Sequence, residues 1–406
     1  MSSIQKSKRF ISSNWIILLF TLVQFLYVMD FMIIMPLGSF LMEQWELDAD
    51  RFGYLISGFA ISGGVFALAV SFFMHRFEVN KILCYAFLLF VAGIWATALA
   101  PSYWILLLAR IFTGAFGGIL GALILTGISQ RYAYSGRSRA ISFTTVGLAL
   151  ASVIGVPSGL FISSHLGWRA PFFLLAGIGV IISLLLYRAL WTPKSQIPKS
   201  AKKPAGPSFL FFFKKRNPLL GLLFSVAVVF SQYTIFIYLA PYLIFNAEIP
   251  ESELGMIYLV GGIATIISAP VVGYISDKWG KKKLFYLLSL LLIAPISIIT
   301  LLAPPTLSIV LILAVFYFSL DAGRMIPLNT VLTDLVSDEM RASYLTLRSA
   351  VKKVATGLVG IIGGLIIYTQ PDGKLEHFDL IGLIAIFSIF ISLVLVFLTH
   401  QEKEVM

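Results

Sequence analysis

Charge is scarce in this sequence. Asp, Glu, Lys and Arg make up 12% of its 406 residues, where soluble chains average about 25%. A water-soluble domain so composed has too few charges to cover its surface. Cysteine is nearly absent: Cys84 stands alone, which excludes an intrachain disulfide and a thiolate metal cluster. It reads as a small buried apolar residue of the third apolar run. Histidine is also rare, and His75, His165, His377 and His400 all fall in loops or at the ends of apolar runs. No metal and no cofactor is expected from this set. An intramembrane enzyme would need a nucleophile with a base, or metal ligands. Ser158 lies beside a proline and not in a nucleophile elbow, so an enzyme is not expected. A large extramembrane domain, which a receptor or scaffold often uses, is not in evidence either.

What is present is apolar length: hydrophobic residues make up 59% of the chain. Runs near 20 residues cross a ~30 Å hydrocarbon core. Spans are expected at 15–41, 52–74, 81–99, 102–130, 139–164, 170–190, 218–246, 253–276, 284–303, 306–333, 343–369 and 378–399. The fold class implied is an all-α polytopic membrane protein of about twelve transmembrane helices. Basic residues sort by side. Lys6, Lys8, Arg9, Arg76, Lys81, Arg131, Arg137, Arg139, the cluster over 188–216, Lys278, Lys281, Lys282, Lys283, Arg341 and Lys403 share one set of loops. The other set carries only Arg51, Arg169 and Lys374, together with Glu43, Glu46, Asp48, Asp50, Glu248, Glu251 and Glu253. Basic loops stay cytoplasmic, so both termini are expected in the cytoplasm and the chain in the cell's inner membrane. The net charge of +11 is then a topology signal with some attraction for anionic lipid. No nucleic-acid partner is expected. The basic N-terminus resembles the opening of a signal peptide, but the run at 15–41 is too long, carries Asp30 and is followed by more spans. It reads as a retained first helix.

The pattern breaks over 191–217, where Pro, Ser and Lys recur as in a cytoplasmic linker. The Phe-rich stretch 209–213, framed by Lys214, Lys215 and Arg216, reads as a short amphipathic piece on the membrane surface. Six spans precede the break and six follow. The expected domains are an N-terminal six-helix bundle at 1–190, the linker at 191–217, a C-terminal six-helix bundle at 218–399 and a tail at 400–406. Two such halves with both ends on one side is the parallel-repeat plan of secondary transporters.

A charge at the centre of a span costs roughly 2.5–3.5 kcal/mol on insertion scales, so each needs a partner or a purpose. Counted along the helices at ~1.5 Å per residue, Asp30 of the first span and Arg110 of the fourth lie roughly 16 Å and 12 Å deep. They are expected to pair and to carry proton coupling. A carboxylate binds its proton more tightly once a neighbouring guanidinium has moved away. The alternative is a static pair that locks the two helices. The second half holds Asp321 and Arg324 on its tenth span, and Arg348, Lys352 and Lys353 on its eleventh. Arg348 and Lys352 share a face, and Asp321 and Lys352 fall at similar depth. These are substrate or gate candidates: a cation facing a cavity would hold an anionic group, and the alternative is a packing pair with Asp321. Gln24, Tyr27, Gln232, Tyr233 and Tyr238 are further cavity candidates. The aromatic residues, 14% of the chain, line a cavity from helices 1, 4, 7 and 10 or else face lipid.

Small residues four apart mark close helix packing: Gly114 with Gly118, Gly155 with Gly159, and Gly360 with Gly364. Pro157, between the second pair, permits a bend that is either a working hinge or a passive kink. Several segments resemble those of a known family. GYISDKWGKKKLF at 273–285 resembles the loop signature between helices 8 and 9 of the major facilitator superfamily. The resemblance implies a cytoplasmic latch of Gly273, Asp277, Lys278 and Lys281, with Gly280 making the tight turn. The matching loop between helices 2 and 3 departs from the pattern, with Ser71, His75 and Glu78 in place of Gly, Asp and Gly, while Arg76 and Lys81 remain. MDFMIIMPLG, ARIFTGAFGG and GVPSGLFISSHLGWRAPFFLLAG resemble the twelve-helix drug/proton antiporter group, in particular its arabinose-efflux-permease-like branch. Asp30 and Pro36, Arg110 and Gly114, and the helix-5 antiporter motif of Gly155, Pro157 and Gly159 carry that likeness. It implies proton-driven efflux of a small molecule, such as a drug, sugar or metabolite, by a monomer that alternates access. Uptake by a symporter or facilitator stays open as the alternative.

Overall fold

A chain inside hydrocarbon must satisfy its own backbone, and helices do so segment by segment. The computed structural model of the protein describes residues 3–73, 78–132, 134–190, 209–302, 304–333 and 335–399. Within them run α1 (Ser3–Ile33), α2 (Gly38–Trp45), α3 (Ala49–Phe73), α4 (Val79–Leu99), α5 (Tyr103–Arg131) and α6 (Tyr134–Leu150). A π-helical turn at Ala151–Gly155 leads into α7 (Val156–Leu166), followed by α8 (Ala170–Leu190) and α9 (Phe209–Lys214). The second half holds α10 (Arg216–Phe245), α11 (Glu251–Trp279), α12 (Lys281–Leu301), α13 (Leu307–Thr333), α14 (Asp338–Ile366) and α15 (Phe378–Leu398), with a small hairpin of β1 (Tyr368–Thr369) and β2 (Leu375–Glu376). Twelve spans in this set are long and apolar enough to cross a membrane. The linker core at 191–208, His75, Arg76 and the tail at 400–406 lie outside the described residues.

Three expected elements differ in detail. The first span does not continue to residue 41: α1 stops at Ile33 and α2 starts at Gly38. Pro36 lacks an N–H and crowds the preceding turn, which breaks the helix there. The eleventh helix stops at Ile366 and leaves Tyr368 and Thr369 for the hairpin. The phenylalanine stretch forms α9, but it does not simply rest on lipid. Phe212 is fully buried against Leu222, Val336, Tyr344 and Leu347, while Phe213 is exposed.

Helices α1 and α3–α8 pack together as one six-span bundle, with α5 between α3 and α4, α4 on α8 and α1 on α6. Helices α10–α15 form the other, with α10 on α14 and α15, and α13 between α11 and α12. Two seams join them: α3 with α14, and α7 with α11. Each pairs the second span of one half with the fifth of the other, as a twofold repeat requires. Apolar side chains such as Phe161, Ile267, Phe387 and Phe397 are exposed, as suits helices whose surroundings are lipid.

The glycine pairs sit at these contacts. Gly114 and Gly118 lie on the α3 backbone at Phe59 and Gly63, Gly155 and Gly159 lie on Met29 and Ile33, and Gly360 and Gly364 meet α3 at Gly53, Ser57 and Asp50. Along the α3–α14 seam, Ser57 Oγ donates to Gly357 O at 2.6 Å and Tyr238 Oη to Gly360 O at 2.6 Å. The α2 end is closed further by Gly38 against Phe52 and Pro241, and by Ala49 N donating to Thr369 Oγ1 at 3.1 Å. By the charge pattern this is the outer end.

A Gly118→Val change puts a side chain into the Gly63 backbone, which cannot swing away as a flexible side chain would. Overpacking of this kind costs about 1–3 kcal/mol. Thermal unfolding of the detergent-purified variant is expected several degrees below the parent, and an unchanged midpoint would contradict this packing.

Candidate functional site

Between the two bundles lies a cavity of about 630 Å³. Its walls come from α1, α3, the α6–α7 bend, α10, α11, α13 and α14, and none of its described lining comes from α4, α5, α8, α12 or α15. The lining runs from Met32, Val156 and Tyr258 to Gln24, Ala269, Met325 and Ser349, which lie farther along their helices from the α2 end. The cavity therefore extends away from the closed outer seams. Phe31 and Tyr233 meet across the midline with centroids 6.2 Å apart, and within the C-terminal bundle Phe236, Tyr258 and Phe318 pack mutually at 5.7–6.0 Å.

Three ionisable side chains of the lining carry formal charge, Asp321, Lys352 and Lys353. Asp321 accepts from Arg324 of its own helix, Nη2 to Oδ1 at 2.6 Å and Nε to Oδ1 at 3.1 Å. Arg324 is fully buried behind the wall and also donates from Nη2 to Ser231 Oγ at 2.9 Å. Lys353 reaches across to the other bundle, donating from Nζ to Gly118 O at 2.5 Å, with the Tyr27 ring 5.3 Å away. Lys352 has neither a hydrogen bond nor an ion pair among the described residues. Arg348 turns from the cavity and donates to Ser225 Oγ at 2.9 Å and Asn329 Oδ1 at 3.0 Å.

Asp30 and Arg110 are brought together in the N-terminal bundle, both with 0% side-chain exposure. Arg110 Nη1 lies 3.0 Å from each carboxylate oxygen of Asp30, and Nη2 donates to its backbone O at 3.3 Å. Neither residue lines the cavity. Phe59 stands between: its ring faces the cavity and lies 4.3 Å from the Arg110 guanidinium carbon. Opposite charges held this closely recover much of what their burial costs, and losing one partner leaves the other uncompensated.

Gln24, Tyr27, Gln232 and Tyr233 line the cavity as expected of cavity contacts. Tyr238 does not. It is fully buried in the outer seam, because the bare backbone at Gly53, Gly360, Gly363 and Gly364 leaves room for its ring there. Arg324 and Arg348 are also off the cavity surface, drawn to Asp321, Ser231, Ser225 and Asn329. Asp321 and Lys352 both line the cavity, but the ion pair of Asp321 is with Arg324. Helix 4 supplies none of the aromatic lining. Phe59 of the second span and Tyr258 of the eighth were not singled out in the sequence, since an aromatic in an apolar helix carries no mark of the face it occupies. In the cytoplasmic-loop motif Gly280 has φ of 92° and alone separates α11 from α12. Gly273 has open space beside it, Lys278 lies over Tyr274 of its own helix at 4.4 Å, and Asp277 has no ion pair among the described residues.

The profile of the Major Facilitator Superfamily matches residues 20–323 and 222–405. The chain belongs to this superfamily. Among its relatives is the MFS-type transporter YbcL of Bacillus subtilis (strain 168), 25% identical over 97% of this chain and 98% of that protein. Another is a Helicobacter pylori (strain G27) protein named "Probable sugar efflux transporter", 22% identical over 91% of this chain and 93% of that one. Two solved structures share the fold. A bacterial homolog of the human lysosomal transporter Spinster, in an inward-facing and unoccupied conformation, gives a TM-score of 0.71 at 17% identity, covering 96% of this chain and 95% of the other. A mutant form of the nucleoside transporter NupG gives 0.72 at 16% identity, covering 94% and 98%. The chain is thus a multi-pass membrane protein of the major facilitator fold.

In this major facilitator protein, Arg110→Met strands the Asp30 carboxylate in a site with no other cation beside it among the described residues. Breaking such a buried pair costs about 3–5 kcal/mol. Unfolding of the purified variant is expected at markedly lower temperature, with partial recovery in Arg110→Met/Asp30→Asn. A single variant as stable as the parent would show that the pair is not needed to hold α1 on α5.

Proposed function

We propose that the protein is a secondary active transporter of the inner membrane that exports a small molecule in exchange for protons. The observation that carries this is the central cavity, sealed at the outer end and bounded by both bundles, with ionisable side chains in its wall and one ion pair directly behind it. Exchange follows if the bundles rock about the α3–α14 and α7–α11 seams and open the cavity to each side in turn. Asp30 and Arg110 are the proposed coupling pair. Motion of Phe59 on cavity filling would let water reach the carboxylate and loosen its partner. The π-turn ahead of Pro157, flanked by Gly155 and Gly159 against α1, is the proposed hinge of the antiporter motif. The loop of Gly273, Asp277, Lys278, Gly280 and Lys281 is the proposed cytoplasmic latch, with both termini on that side. The domain boundaries proposed are 1–190, 191–217, 218–399 and 400–406, in a monomer surrounded by lipid. The relative named for sugar efflux supports the outward direction and the arabinose-efflux-permease-like branch. No enzymatic role is proposed.

Everted membrane vesicles test the direction. With the interior acidified and acridine orange quenched, adding a transported compound outside is expected to restore fluorescence, because antiport releases internal protons. A symporter would deepen the quench. Asp30→Asn is expected to give no response while remaining in the membrane, and a full response from that variant would leave Asp30 a structural role alone.

A further inference from the structure

We propose that the cavity takes an amphipathic organic anion: a flat apolar or aromatic body bearing one oxyanion, with that oxyanion seated at Lys352. This rests on the transporter reading above and narrows its substrate class. The first support is a charge imbalance. The lining presents two ammonium groups and one carboxylate. Arg324 donates twice to Oδ1 of that carboxylate from behind the wall and balances its charge. Lys353 is answered by a carbonyl and a ring face, which supply dipoles and no net charge. Arg348, one helical turn before Lys352, points to neutral oxygens. Lys352 has no described hydrogen bond or ion pair, and Asp321 acts on it only through space; an ammonium in a mostly apolar cavity is stabilised by an anion that contacts it directly.

The second support is the character of the walls. Tyr27, Phe31, Phe59, Tyr233, Phe236 and Phe318 give broad ring faces from both bundles, suited to a flat apolar body. The hydroxyls of Ser152, Thr265 and Thr356 each donate back to carbonyls of their own helices, at 3.1, 3.0 and 3.0 Å. Tyr258 also lines the cavity, and its buried hydroxyl has no hydrogen-bond partner among the described residues. It can donate to an oxyanion or to a single polar group on the body.

The test uses purified full-length protein and three probes with one ring system: naphthoate, naphthamide and naphthylmethylamine. Ligand-dependent thermal unfolding reads their affinities, since a compound that binds the folded state stabilises it. Naphthoate is expected to stabilise at concentrations where the amide and the amine do not. Lys352→Met should weaken naphthoate about ten- to hundredfold, the loss of one charge-assisted contact, and Lys352→Arg should retain most of the affinity. Preference for the amide or amine, equal response to all three, no response to any, or unchanged naphthoate affinity in Lys352→Met overturns the proposal. Should Lys352→Met fail to fold, the Lys352→Arg variant and the three-probe ranking still decide it. No gradient is needed for binding, so the two readings fail separately. Selective naphthoate binding without vesicle transport would defeat the export reading alone, and vesicle transport restricted to neutral compounds would defeat this one alone.

Discussion

Contact of backbone with backbone, where α3 lies on α14, is the constraint from which the rest follows. Because Gly53, Gly64, Gly360 and Gly364 carry no side chain, the two bundles approach until carbonyls of one meet main-chain atoms of the other. That closeness fixes where the halves touch and leaves room between them for the cavity. Few directional bonds hold the seam: the described side-chain contributions are Ser57 to Gly357 and, from α10, Tyr238 to Gly360. Each such bond is worth about 0.5–1.5 kcal/mol net. A smooth surface fastened this lightly can slide or tilt at modest cost, whereas interlocked large side chains would have to unpack first.

Charge is placed according to that geometry. The Asp30–Arg110 pair lies inside one bundle, so it moves with the bundle and leaves the seam free. Asp321 and Arg324 neutralise one another within a single helix, so neither needs a partner across the cavity. Lys353 does cross, tying α14 to the carbonyl of Gly118 on α5. On the proposed rocking, this tie would break as the halves part on that side. Phe59 links the two kinds of chemistry, since it lines the cavity and its ring lies on the Arg110 guanidinium. On the proposed mechanism, a cargo that displaced the ring would disturb the pair without touching it.

Much of this was legible in the sequence, and the physical reason is hydrocarbon. Exclusion of charge from lipid makes the twelve spans, the sidedness of the loops and the rare intramembrane charges stand out, and depth counting from the span ends was enough to place Asp30 beside Arg110. Glycines four apart marked real contacts, because close approach leaves no room for a Cβ. Facing was the hidden quantity. Tyr238 and Tyr233 lie on the same helix and look alike as letters, yet one fills the glycine-lined outer seam and the other the cavity. Asp321 found Arg324 one turn away instead of Lys352, since a partner on the same helix is reached without any tertiary contact. The π-turn at Ala151–Gly155 has no local signature beyond the proline that follows it.

The central claim is that the outer seams open as the bundles rock as units. Spin labels at Glu43 on α2 and Ser252 on α11, introduced as cysteines in a Cys84→Ser background, report the distance between the outer ends of the two halves by pulsed dipolar spectroscopy. The account predicts a short-distance population matching the closed structure and a second, longer one, with the balance between them shifting with pH. One unchanging short distance at acid and neutral pH alike would contradict it.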